Sequence, residues 1–179
     1  MSQYHSSTQR FVLLSMLTAF GLVLFVFEAF LPILPWFRPG FGNVATILAL
    51  MLFGFGDAVK VTLLRVVLGA LILGRLFTPL FMFALAGGVA SVCVMAFLFV
   101  YMKHIFGPVG ISVLGAVVHN MVQLALAYFL FVKRTELGIF IPIFLLVGVV
   151  TGIITGLTAA FIGELSEKRL SLQVLRYTR

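Results

Sequence analysis

The chain has 179 residues, 63% of them hydrophobic and 9% charged, with a formal net charge of +7. A soluble domain of this length cannot bury so much apolar surface, so the composition excludes a soluble globular protein and predicts an all-α integral membrane protein. In that setting the positive balance reads as basic loops and ends facing anionic lipid, and not as a nucleic-acid surface.

The apolar runs predict six membrane segments in one bundle, with no separate soluble domain. The first spans about 10–31; no small-residue cleavage signature closes it, so it reads as a retained helix. Glu28 lies inside that run. Pro32, Pro35, Trp36, Arg38, Pro39, Gly40 and Gly42 follow, forbidding a continuous helix and predicting a stiff aromatic loop at the headgroup interface. The second segment, 43–55, would rise only about 20 Å as a helix, short of a bilayer. Asn43 opens it as a candidate cap. Gly54 to Asp57 reads as a turn, with Asp57 capping the next segment. That third segment, 58–74, carries Arg65 about midway. The fourth, fifth and sixth are expected at 79–102, 109–132 and 137–162, before a basic tail at 164–179 that suits an interfacial helical extension.

Six crossings put both termini on one side. With the termini inside, the inner flanks hold Arg10, Lys60, Lys103, Lys168, Arg169, Arg176 and Arg179, and the outer flanks Arg38, Arg75, Lys133 and Arg134. The excess favours cytoplasmic termini.

Polar residues at depth carry the functional expectation. Glu28, Asn43, Arg65, His119, Asn120 and Gln123 fall between the midplane and the outer interface, on four different segments. A charge at the bilayer centre costs at least about 2.5–3.5 kcal/mol, so such residues persist where something uses them. The layout predicts a pocket open to the outside and closed toward the cytoplasm. The structural alternative is a Glu28–Arg65 ion pair locking helix order, with His119, Asn120 and Gln123 as interhelical glue worth about 1 kcal/mol per contact.

Small residues form a second pattern. Gly148, Gly152, Gly156 and Ala160 recur once per turn, a stripe that reads first as internal helix packing. Ser15 and Ala19 make a shorter version better suited to an external partner.

Other chemistries lack their residues. No Gly-rich phosphate loop ends in Lys-Ser/Thr, Asp57 is the single aspartate, and Cys93 the single cysteine. His5, His104 and His119 are scattered without metal-ligand spacing. No catalytic residue, no metal and no required cofactor are therefore expected, and the chain does not read as an enzyme.

The motif order carries a resemblance. Glu28, Pro32, Pro39-Gly40, Gly42-Asn43, Phe53-Gly54, Leu64-Arg65, Gly69, Gly74, Gly87-Gly88, Ser91, then Gly115, His119-Asn120, Gln123, Gly148 and Gly152 resemble the bacterial Gx transporter family, often labelled heptaprenyl diphosphate synthase component I. The resemblance spans roughly 10–163; a departure is Phe41, where the family pattern leads one to expect leucine after a lysine. It implies a six-transmembrane-helix bundle like the substrate-binding S components of energy-coupling-factor vitamin transporters, in the bacterial cytoplasmic membrane. It also implies a small-molecule ligand beneath the loop between helices one and two, with a flavin as first guess. Glu28, Trp36, Asn43, Arg65, His119, Asn120 and Gln123 would line the site, with Arg65 meeting a phosphate or carboxylate. Ser15 and Ala19 would meet a transmembrane coupling subunit with its ATPases. Two other expectations stay open: a membrane subunit associated with prenyl diphosphate or quinone synthesis, and an electron-transfer subunit holding flavin or quinone.

Overall fold

In hydrocarbon every backbone N–H and C=O must be satisfied within the protein, which drives apolar runs of this length into helices. A computed structural model of the chain describes residues 7–31, 38–132 and 135–177, and the regular structure among them is helical. The helices are α1 (Ser7–Glu28), α2 (Asn43–Phe53), α3 (Phe55–Ile72), α4 (Pro79–Tyr101), α5 (Pro108–Ala127) and α6 (Ile141–Tyr177). A π-helical turn, Tyr128–Val132, extends α5, and a 3-10 segment, Thr135–Phe140, leads into α6. Prolines at the starts of α4 and α5 have the fixed φ a first turn needs and lack only an N–H that would go unused there.

Four stretches are long and apolar enough to cross a bilayer: Ser7–Glu28, Pro79–Tyr101, Pro108–Leu130 and Gly138–Leu165. Four such helices are compatible with a multi-pass membrane protein. The other two of the six expected crossings fall short by this measure, each for a physical reason. The 11 residues of α2 rise only about 16 Å. The 18 residues of α3 include Asp57, Lys60 and Arg65.

Burial explains how both are accommodated. Every residue of α2 from Asn43 to Leu50 is buried, and the helix touches α1, α3, α4, α5 and α6. It is a central strut shielded by its neighbours, so its length need not match the membrane. On the outside, α1 exposes Phe11, Met16, Val23 and Phe27, and α6 exposes Leu146, Val150, Ile154 and Phe161. Large exposed apolar surface of this kind suits lipid.

The glycine stripe of α6 packs internally. A Cβ on Gly148 would stand 3.0 Å from the Val117 Cα, and one on Gly156 2.5 Å from the Val109 Cα; one on Gly152 would collide with the Val113 backbone. These glycines let α6 lie directly on the α5 backbone. Ser15 and Ala19, by contrast, are exposed on α1.

Several expectations are corrected. Asp57 is not a cap: α3 begins after Gly54, whose φ of +89° favours glycine, and no side chain caps it. Asp57 instead lies in the first turn and accepts from Arg10 Nε at 2.9 Å and from Lys60 Nζ at 3.0 Å. The first segment ends at Glu28 rather than 31, closing through turn bonds from Ala29, Phe30 and Leu31. Residues 164–177 are helical, and they continue α6 without a break to Tyr177.

Candidate functional site

The polar cluster is built around the turn that delivers the chain into α2. Gly40, with φ of +89°, lets the backbone reverse direction. The following residues then stack as a helical start, with Asn43 N–H donating to the Gly40 carbonyl at 2.9 Å. Two charged side chains grip this turn from either side. Glu28, at the end of α1, accepts the Gly42 N–H on Oε1 at 3.0 Å. Arg65, from the middle of α3, lies so close that a Cβ on Gly42 would strike its guanidinium. The Glu28–Arg65 ion pair expected from sequence therefore does not form directly. Glu28 holds the Gly42 N–H, and the Arg65 guanidinium occupies the space a Gly42 side chain would take.

From Arg65 the network continues across the bundle. Arg65 Nη2 donates to Asn43 Oδ1 at 2.6 Å, and Asn43 Nδ2 donates to Ser91 Oγ of α4 at 3.3 Å. Asn43 is thus no helix cap; α2 is preceded by Gly42 without side-chain capping. Below it, the Thr46 and Thr62 hydroxyls pair at 2.8 Å and tie α2 to α3.

On the α5 side, His119 Nε2 and Gln123 Nε2 lie 2.8 Å apart, one helical turn from each other. Gln123 Oε1 accepts the backbone N–H of Arg38 at 3.2 Å, which fastens the turn from a third direction. The His119 ring lies against Gly87 of α4, where a Cβ would stand 3.0 Å from Nδ1, and its Cδ2 approaches Gly40. Asn120 points elsewhere. Its Nδ2 donates to the Phe144 carbonyl at 3.1 Å and sits at the α5–α6 seam.

The structure therefore brings Glu28, Asn43, Arg65, His119 and Gln123 to one turn and sets Asn120 beside α6. Trp36 lies outside the described residues. Two polar residues of the cluster were not read as site residues from the sequence. Arg38 was counted as an outer-flank charge, yet it is only 5% exposed, with its guanidinium 4.1 Å from the centroid of the Phe25 ring. Its position between aromatic residues and Pro39-Gly40 was the available signal, since a guanidinium beside aromatic faces is readily drawn inward. Ser91 of α4 supplies an acceptor to Asn43.

The expected pocket open to the outside is also corrected. Glu28, Asn43, Arg65, His119, Asn120 and Gln123 are each at most 4% exposed, so protein atoms close the cluster. Its polar capacity is nonetheless incompletely used: Arg38 Nη1, Arg65 Nε and Asn120 Oδ1 are buried without hydrogen-bond partners. A cavity of about 250 Å³ lies at the other end of the bundle, lined by Ile47, Met51, Phe99, Phe106 and Ile111, with Lys103 and His104 at its edge. Among the described residues, no three His, Cys, Asp or Glu side chains gather as a metal site.

Neither the curated proteins nor the solved structures yielded a match to the chain. The family model described as heptaprenyl diphosphate synthase component I matches residues 17–162, a span that runs from α1 into α6 and contains Glu28, Arg38, Asn43, Arg65, Ser91, His119 and Gln123. With most of its length and every residue of the cluster inside that match, the chain belongs to the heptaprenyl diphosphate synthase component I family.

Proposed function

We propose that the chain is the substrate-capturing subunit of a membrane transport system, a six-helix unit similar to energy-coupling-factor S components. The observation that carries this reading is the convergence of buried polar side chains from α1, α2, α3 and α5 on the Gly40–Asn43 turn, with guanidinium nitrogens left unpartnered. Structural glue alone would satisfy its own donors, because an unmade hydrogen bond in a dry interior costs about 1–3 kcal/mol and more for a charged group. A site that exchanges those bonds with a ligand accepts this cost when empty.

In this reading Glu28, Asn43, Arg65, His119 and Gln123 contact a small vitamin-type molecule, with a flavin as the first candidate. The chain has no catalytic role and needs no resident cofactor. Its termini face the cytoplasm of a bacterial cell, and the closed site lies in the outer half of the bundle. The exposed Ser15 and Ala19 on α1 offer a close-packing surface to a transmembrane coupling subunit working with ATPases. Purified protein tests the flavin directly. Yellow absorbance that is lost on dialysis and restored by added riboflavin or flavin mononucleotide supports it; a colourless protein that binds neither removes that ligand.

The family description favours a second reading, a membrane subunit that serves prenyl diphosphate synthesis. Co-purification with a soluble synthase, together with a fall in quinone on deletion, would move the assignment there. A tightly held, redox-active and non-exchanging flavin would instead mark an electron-transfer subunit.

A further inference from the structure

We propose that the ligand of this site presents an anionic group, a phosphate or a carboxylate, and that Arg38 binds it together with Arg65. The proposal rests on the reading of the cluster as a ligand site and adds the charge class of what enters. Its first support is a count of charges. Glu28 is the single carboxylate facing Arg38 and Arg65, and Arg75, from the turn between α3 and α4, is near enough to repel Arg38. Two buried guanidinium groups thus share one carboxylate, with a third cation at the rim. Unbalanced charge in a dry interior is costly, and the group that restores the balance is an anion.

The second support is the state of the donors. Arg38 and Arg65 are 5% and 2% exposed, and the Nη1 of one and the Nε of the other have no acceptor. Glu28 offsets only part of this charge: its Oε1 accepts the Gly42 N–H, and it makes no direct ion pair with either guanidinium. A guanidinium presents its N–H groups as a planar fork that matches the paired oxygens of carboxylate and phosphate. Arg38 is a binding residue that the apolar-segment pattern hides, because it stands in the connecting turn.

The test uses the purified full-length chain in detergent, with thermal unfolding followed at constant ionic strength in chloride, acetate or inorganic phosphate. A saturable rise in Tm with acetate or phosphate, steep near the dissociation constant and flattening to a logarithmic climb above it, is expected on top of the gradual, near-linear stabilisation that phosphate gives most proteins. Response to acetate alone assigns a carboxylate, and to phosphate alone a phosphate. Arg38→Gln should abolish the saturable part while leaving the Tm in chloride unchanged or higher. If that variant fails to fold, Arg38→Lys, which keeps the charge but not the fork, should weaken the apparent anion affinity at least about three-fold. Absence of a saturable rise with either anion, or an undiminished rise in these variants, overturns the proposal. Failure of the ligand-site reading looks different: native mass spectrometry would then show no exchangeable organic molecule on the protein, whatever the anions do. A neutral molecule held in the site, with no response to either anion, would leave the ligand-site reading standing and remove the anion.

Discussion

At the residue scale, Gly42 is where the site and the fold meet. Its N–H serves Glu28, and its missing Cβ makes room for the Arg65 guanidinium. Gly42→Ala should therefore force Arg65 aside and destabilise the protein by about 1–3 kcal/mol, read as a lowered Tm. Gly56→Ala is the matched control: nothing lies within 4 Å of a Cβ there, and the residue is helical. That change should be neutral or stabilising by up to about 1 kcal/mol. Asn43→Leu should cost about 1–3 kcal/mol, since it removes the acceptor that Arg65 uses at 2.6 Å and leaves a charged donor buried. Thermal unfolding of the three variants side by side checks the order. Glu28, Arg65, His119 and Gln123 were legible in the sequence because a polar letter inside an apolar run is costly and so informative. Arg38 was not, since a basic residue between prolines reads as a solvated loop charge. Asn43 and Asp57 were misjudged in one way: helix-start propensity suggested caps, but tertiary partners claimed both side chains.

At the element scale, the seam between α5 and α6 and the outer face of α1 make opposite predictions from similar letters. Gly152→Leu would drive a side chain into the Val113 backbone, so α6 must separate from α5. The protein should lose stability by about 3 kcal/mol or fail to accumulate folded. Ala19→Leu, on an exposed face, should leave the Tm of the isolated chain within about 0.5 kcal/mol of wild type. If the proposed coupling partner exists, the same change should weaken its co-purification. The stripe was readable from its spacing, and its role as internal packing is what the structure shows. Pro79 and Pro108 punctuate the sequence where α4 and α5 begin. The burial of α2 was not readable. An apolar segment of 11 residues looks like an incomplete crossing until its neighbours are known to surround it.

At the scale of the whole molecule, the buried charged side chains among the described residues, Glu28, Arg38, Arg65 and Asp57, fall in two places. At one end the Asp57 carboxylate, 3% exposed, clasps Arg10 of α1 and Lys60 of its own helix. Both cations are substantially exposed, so the clasp contributes on the order of 1 kcal/mol or less and is screened by salt. Asp57→Asn should lower Tm modestly at low ionic strength, and the difference should shrink as salt is raised toward about 0.5 M; a difference independent of salt would contradict this account. Toward the other end, the cluster beneath the Gly40–Asn43 turn is where binding is assigned.

Native mass spectrometry of the gently extracted chain tests that assignment most directly. The account predicts a stoichiometric small molecule that dissociates on activation, is replaced on incubation with excess ligand, and is absent from Arg65→Met and His119→Ala protein that remains folded. Wild-type protein carrying no small molecule under conditions that preserve bound lipid, or variants that retain the same molecule at full occupancy, would contradict it.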